Sequence, residues 1–292
     1  MLNNQMNYNH AFRSACARGD LKVAKWLAHT YPSVVNISTY NNGIIFACAC
    51  SNGYLEVAKW LAEIYLSSVN VFPIDDYNRA FRGACAYGHL EIAKWLAHTY
   101  PSVVNISAHE DYAFRSACSN GHIEVAKWLV ESYPLINVSA HDNHAFRSAC
   151  SNGYLEVAKF LVQIHPSTMN VFANNNYAFI SACQFGHLEV AKWLIQSYPS
   201  AINISTLDDD AFKRACIYQH IEVTKWLVQI RPYHYMLELD QSQTQILSWS
   251  IRPIQEIKWL ERAVPVLAYN SKTLNIFQSL NYDTVRYICG FV

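Results

Sequence analysis

Histidine and cysteine are the residues in this chain with the most reactive side chains, and both return at fixed intervals. Of twelve histidines, His89, His122, His187 and His220 share one recurring place, held elsewhere by Asp20, Tyr54 and Tyr154. A row of imidazoles suggests zinc. Copies of one position on neighbouring stacked helices, however, sit about 8–10 Å apart, and the ligands of a single zinc all lie about 2 Å from it. The histidines therefore read as turn and helix-capping groups. Seven of the nine cysteines also share a place, at Cys16, Cys50, Cys85, Cys118, Cys150, Cys183 and Cys216. The same spacing exceeds the roughly 7 Å Cα limit for a disulfide, so the thiols read as small core residues.

Two further rows run beside these. Trp26, Trp60, Trp95, Trp128, Trp193 and Trp226, interrupted by Phe160, have the aromatic faces of a base-stacking track, but their place inside a helix-packing phrase makes them core. Lys25, Lys59, Lys94, Lys127, Lys159, Lys192 and Lys225 are matched by Glu56, Glu91, Glu124, Glu156, Glu189 and Glu222, which makes a solvated face and not a phosphate track. Phosphate loops, nucleophile elbows and His-Glu-x-x-His helices are missing from the sequence. No catalysis, metal or cofactor is expected.

What positions these rows is a repeat. The phrase Gly-His-Leu-Glu-Val-Ala-Lys-Trp-Leu at 186–194 returns in variant form at 19–27, 53–61, 88–96, 121–129 and 153–161, and without its glycine at 219–227. A phenylalanine opens each unit, at Phe12, Phe46, Phe81, Phe114, Phe146, Phe179 and Phe212, with spacings of 34, 35, 33, 32, 33 and 33 residues. A fixed period of this size means a stacked solenoid.

Within residues 111–140, Phe114, Ala117 and Cys118 share one side of a short helix. Gly121 ends it with a left-handed cap. Residues 123–132 form a second helix with Glu124 and Lys127 on its wet side, and Tyr133-Pro134 stops it. Residues 135–140 then read as extended, and His141-Asp142-Asn143 as the turn into the next unit.

Bulk properties narrow the class. In 292 residues, 52% are apolar and 22 basic residues balance 22 acidic ones, which leaves no basic excess for binding duplex nucleic acid. Residues 1–10 lack the order of a signal peptide, and no apolar run is long enough for a membrane span. An odd cysteine count suits a reducing compartment, and a cytoplasmic location is expected. The sequons at Asn36, Asn105, Asn137 and Asn203 recur at one place and read as turn chemistry.

Helix, glycine turn, helix and finger resemble the ankyrin repeat. Its Thr-Pro-Leu-His-x-Ala signature maps onto residues 144–149, and its Gly-His-Leu-Glu-Val-Val-Lys-Leu-Leu helix onto 186–194, where Trp193 replaces a leucine. The resemblance covers residues 6–231, and the Ala-Phe-Arg and Lys-Trp-Leu variants look most like the expanded ankyrin families of giant DNA viruses. Two departures stand out: the Thr-Pro start is absent, and Tyr-Pro replaces the glycine after the second helix. A tetratricopeptide array has a similar period but needs two long helices, which the Asn-Val-Ser-Ala-His-Asp-Asn stretch does not continue.

The resemblance implies an all-α ankyrin-repeat solenoid of about seven repeats over 1–235, with a degenerate repeat and helical cap over 236–292. It also implies protein–protein binding by a monomer, without nucleic acid or membrane. Partners of the family are gripped by finger tips and by the residues before the inter-helix glycine. Here those are Asp75, Asp76, His109, Glu110, His141, Asp142, Asn175 and Asp208 at the tips, and Tyr87, Asn120, Asn152, Phe185 and Tyr218 before the glycines. The acidic tips point to a basic or polar protein segment, the exposed aromatics to anchors. The alternative is that the acids pair with Arg82, Arg115, Arg147 and Lys213 of their own helices.

Residues 280–292 admit two readings. They resemble the opening helix of an F-box, with Leu280, Val285 and Ile288 at its apolar positions and Asn281 in place of proline. That resemblance implies a substrate adaptor contacting a cullin-type ubiquitin-ligase subunit. Any short amphipathic capping helix has the same pattern, and a worn eighth repeat around Trp259 leads into it.

Overall fold

The computed structural model describes residues 2–32, 42–67, 73–166, 171, 173–198 and 204–230. The chain divides into two compact units, Met1–Asn174 and Asn175–Val292. The first holds five helix pairs: α1 (Leu2–Arg18) with α2 (Leu21–Thr30), α3 (Asn42–Ser51) with α4 (Leu55–Ser67), α5 (Ile74–Ala86) with α6 (Leu90–Thr99), α7 (Ala108–Ser119) with α8 (Ile123–Ser132), and α9 (Ala140–Ser151) with α10 (Leu155–Ile164). The second holds two: α11 (Ala173–Gln184), which begins at the boundary, with α12 (Leu188–Ser197), and α13 (Ile204–Ile217) with α14 (Ile221–Ile230). Seven pairs match the seven opening phenylalanines, and no strand occurs among the described residues. None of the described helices is long and apolar enough to cross a membrane. The expected division at residue 235 lies outside the described residues.

The core follows the repeat. Phe12, Phe46, Phe81, Phe114, Phe146 and Phe179 are almost wholly buried, each beside a buried alanine and cysteine three and four residues on. Burying one such ring contributes about 1.5–3 kcal/mol. On the second helix a valine or isoleucine, an alanine and a leucine are buried together, as at Val125, Ala126 and Leu129. All seven periodic cysteines are free and buried.

Each helix pair turns through a left-handed C-cap. Gly88 has φ 79°; its N–H donates to Cys85 O at 3.3 Å and the next N–H, of His89, to Ala84 O at 2.8 Å. This is the paired hydrogen-bond pattern of a Schellman motif. Gln219 has φ 61° without being glycine and keeps both bonds, to Cys216 O at 3.0 Å and, through His220, to Ala215 O at 2.9 Å.

The tryptophans are half-buried in most repeats and exposed at Trp26, so they are a lid over the core more than its centre. Three of them meet a phenylalanine of the preceding repeat edge-on: Phe12 and Trp60 at 6.2 Å, Phe46 and Trp95 at 6.3 Å, Phe81 and Trp128 at 6.4 Å. The Tyr-Pro tyrosine closes the other side, with Tyr100 at 5.8 Å from Trp95 and Tyr133 at 5.8 Å from Trp128. Such edge contacts add about 0.5–1.5 kcal/mol beyond area. The Tyr-Pro dipeptide therefore both stops the helix and packs it.

The fingers differ from the extended reading. Residues 101–107 run through turns, and Val104, Ile136 and Val138 point inward as buried plugs. Val104 N–H donates to Tyr100 O at 2.9 Å and Ile136 N–H to Tyr133 O at 3.1 Å, so these two are satisfied by turns and not by a ladder.

Candidate partner-binding face

Helix register sorts each first helix into a buried and an open side. Counted from the buried phenylalanine, positions −2, +2, +5 and +6 fall together, which lines up Arg79, Gly83, Ala86 and Tyr87 on α5 and Tyr112, Ser116, Ser119 and Asn120 on α7. Tyr87 is 64% exposed and Tyr112 45%. In the second unit, Phe185 and Tyr218 follow α11 and α13 at the same +6 position; both are exposed, and their rings lie 6.3 Å apart.

The asparagines of that position have a second attachment. Asn52 Nδ2 donates to Ala17 O at 3.1 Å, Asn120 Nδ2 to Ala86 O at 2.8 Å and Asn152 Nδ2 to Ser119 O at 2.7 Å. Each acceptor is a last-turn carbonyl of the preceding repeat's first helix, which has no intrahelical donor of its own. Two of the periodic histidines serve carbonyls at the same helix position: His89 Nε2–H donates to Ser51 O at 2.9 Å, and the His122 ring bonds Ala86 O. His89, His122 and His187 make no side-chain cap to their own helices, so the capping role read from sequence becomes a stitch between repeats at His89 and His122. Their rings press on the preceding glycine: a Cβ at Gly88 would lie 2.4 Å from His122 Nδ1, and one at Gly186 2.5 Å from His220 Nδ1. Burial holds the His122 pKa below its ordinary value against the bond to Ala86. No group of three or more His, Cys, Asp or Glu among the described residues is placed to hold a metal.

At the tips, His109, Glu110 and Asp111 have φ of 54°, 55° and 60°, and His141, Asp142 and Asn143 have 53°, 53° and 60°. A left-handed run of non-glycine residues costs roughly 1–2 kcal/mol per residue, and each is buttressed by an arginine one turn into the helix. Arg115 donates from Nε to Glu110 O at 2.9 Å and from Nη2 to His109 O at 2.8 Å. Arg147 does the same to Asp142 O at 2.9 Å and His141 O at 3.0 Å. Arg115 and Arg147 thus hold tip carbonyls. Glu110 instead reaches the next finger, its Oε2 2.6 Å from His141 Nε2.

Asp75 is exposed, but Asp76 is only 8% exposed. It sits where Gly43 of the preceding repeat has no side chain; a Cβ at Gly43 would lie 1.7 Å from Asp76 Oδ2. Desolvation raises the Asp76 carboxyl pKa, Arg79 opposing at 3.8 Å. The side chains of Asn175 and Asp208 lie outside the described residues, as do Leu280, Val285 and Ile288 entirely.

One functional position went unseen in sequence. Three residues before the phenylalanine, Asn78 Oδ1 accepts from Asn105 N at 2.7 Å and Asp111 Oδ2 from Asn137 N at 2.9 Å. Each therefore anchors the root of the following finger. The signal was the recurrence of Asn or Asp at Asn78, Asp111, Asn143 and Asn176, all buried.

A family model described as ankyrin repeats (3 copies) matches residues 12–106, 81–171 and 148–236. The chain belongs to the ankyrin-repeat family. Among solved structures it is similar to the crystal structure of the human ASB11 ankyrin repeat domain, at 19% identity over 64% of this chain and 83% of that one, with a TM-score of 0.47. No curated protein matches. Ankyrin repeats are generally protein-interaction modules and generally non-enzymatic, and the open first-helix face is where this one has aromatic side chains to offer.

Proposed function

We propose that this ankyrin protein works without catalysis, holding a protein partner on its finger tips and on the open side of its first helices. The observation that carries the reading is the contrast at one register position. Asn120 and Asn152 there are tied to the preceding repeat, whereas Tyr87, Phe185 and Tyr218 project into solvent as large exposed rings. Buried aromatic anchors dominate interface energies, and an isolated domain gains nothing by exposing them. His109, Glu110, His141 and Asp142 flank the first unit's face as a preformed rim, since adjacent fingers are already joined. Seven buried free thiols support work in a reducing compartment.

The test is affinity purification with mass spectrometry on the intact chain and on a Tyr87→Ala/Phe185→Ala/Tyr218→Ala variant of matched thermal stability. A partner lost only from the variant is expected; a partner retained by it argues against this face. A Leu280→Asp/Ile288→Asp variant run in parallel addresses the adaptor reading, which rests on the F-box-like pattern of residues 280–292. Ligase subunits recovered with the intact chain and lost from that variant would make the chain an adaptor. Their absence leaves a cap over 236–292 and the repeats of 1–235 as the binding domain.

A further inference from the structure

Building on the reading that the first-helix face binds protein, we infer that in the first unit this face takes an acidic peptide segment, gripped by Arg79 and Arg82 of α5 and flanked by Tyr87 and Tyr112. The inference departs from the basic partner that the acidic tips suggested, because those tips are in large part engaged within the chain. Asp76 is buried over Gly43, Asp111 anchors the next finger, and Glu110 is joined to His141. The arginines of α5 are not so engaged. α5 starts as a regular helix at Ile74, without the left-handed turn of α7 and α9. Arg82 therefore lacks the tip carbonyls that hold Arg115 and Arg147 in the same register, and it makes no hydrogen bond or ion pair among the described residues. Arg79 has only a loose 3.8 Å contact to Asp76, with its own side chain 53% exposed.

Arg79 and Arg82 lie three residues apart, one turn of α5, and Tyr87 caps that helix on the open side that Arg79 begins. The floor beside them is low: Gly83 has no side chain, and a Cβ there would lie 2.0 Å from the Ser51 hydroxyl of α3. Across α1, α3, α5, α7 and α9, no carboxylate occupies positions −2, +2, +5 or +6 of the first-helix face. Two guanidiniums with vacant donors are suited to carboxylates, which they bind through paired hydrogen bonds, and Tyr87 supplies an apolar contact beside them. Nucleic acid is the less favoured occupant. A backbone of phosphates needs a longer run of cations, and the lysines of α4, α6, α8 and α10 are each held by a glutamate, at 3.2 Å for Lys59 and 2.8 Å for Lys159.

The experiment is fluorescence anisotropy on the full chain with three probes: a labelled peptide alternating Glu and Leu, its Lys–Leu counterpart, and an oligouridine of equal length. The Glu–Leu peptide should bind and the others should not displace it. Arg79→Gln and Arg82→Gln should each weaken it by roughly tenfold, Arg82→Gln with unchanged melting temperature, and Arg82→Glu should shift preference toward the Lys–Leu peptide. Preference for the Lys–Leu peptide by the parent chain, displacement by oligouridine, indifference to both arginine variants, or no binding of the Glu–Leu peptide would each overturn the inference. Weakening by Tyr87→Ala without an effect of either arginine variant would reject the acidic class while leaving this face as the binding surface.

Discussion

The side-chain amide of Asn120 donates to Ala86 O at 2.8 Å, joining α7 to the last turn of α5. A residue expected to face a partner is therefore also part of the stacking. Its removal leaves a helix-end carbonyl short of a donor, which His122 continues to serve. Asn152, which donates to Ser119 O at 2.7 Å and is followed by Tyr154 and not by a histidine, is the cleaner case. Asn152→Ala is expected to cost about 1 kcal/mol in urea unfolding, and Asn120→Ala less, near 0.5 kcal/mol.

The left-handed caps give a pair of opposed changes. Gly88→Ala places a methyl 2.4 Å from His122 Nδ1 on a backbone at φ 79°, and a loss of about 1–3 kcal/mol is expected. Gln219→Gly relieves a non-glycine residue at φ 61° and should raise stability by about 0.5–1 kcal/mol, the unfolded-state entropy of glycine offsetting part of the gain. Thermal melts of the two variants check both signs.

Asp76 gives a pH dependence. Burial lifts its carboxyl above the ordinary 3.8, with Arg79 opposing and Asp75 adding. The folded state therefore favours the proton, and the stability the protonated form contributes is present below the unfolded value and lost as pH rises through the folded one. Asp76→Asn should match the parent below about pH 4 and exceed it toward neutrality. Denaturation midpoints across that range test the sign; a parent that gains on the variant as pH rises would contradict it.

How far these positions were legible depended on whether partner and residue lie in the same repeat. The helices, the glycine caps and the buried Phe114–Cys118 side followed from local periodicity. The work of His122 did not: its recurrence was visible, but its acceptor, Ala86 O, is a backbone atom 36 residues earlier that no side-chain pattern marks. Finger conformation was misread for a related reason. Ile136 and Val138 suggest extended chain, yet Asp111 fixes Asn137 N from the preceding repeat and burial absorbs both side chains in a turn.

Thiol chemistry separates the periodic cysteines from Cys48. Burial pushes Cys16 up to about 12 and Cys216 to about 11, and raises Cys50, Cys85, Cys118 and Cys150 as well. The thiolate is the reactive form, so iodoacetamide should label exposed Cys48 in the native chain and reach these six only on unfolding. Peptide mass spectrometry with and without urea reads the difference.

The central claim, that the open side of the first helices holds the partner, is tested most directly by site-specific photo-crosslinking. A photoreactive phenylalanine analogue placed at Tyr87, at Phe185, or at Glu124 on the solvated side of α8 would be irradiated in cells. The account predicts a crosslinked protein band from Tyr87 or Phe185 and none from Glu124. A band from Glu124 alone, or equal bands from all three, would contradict it.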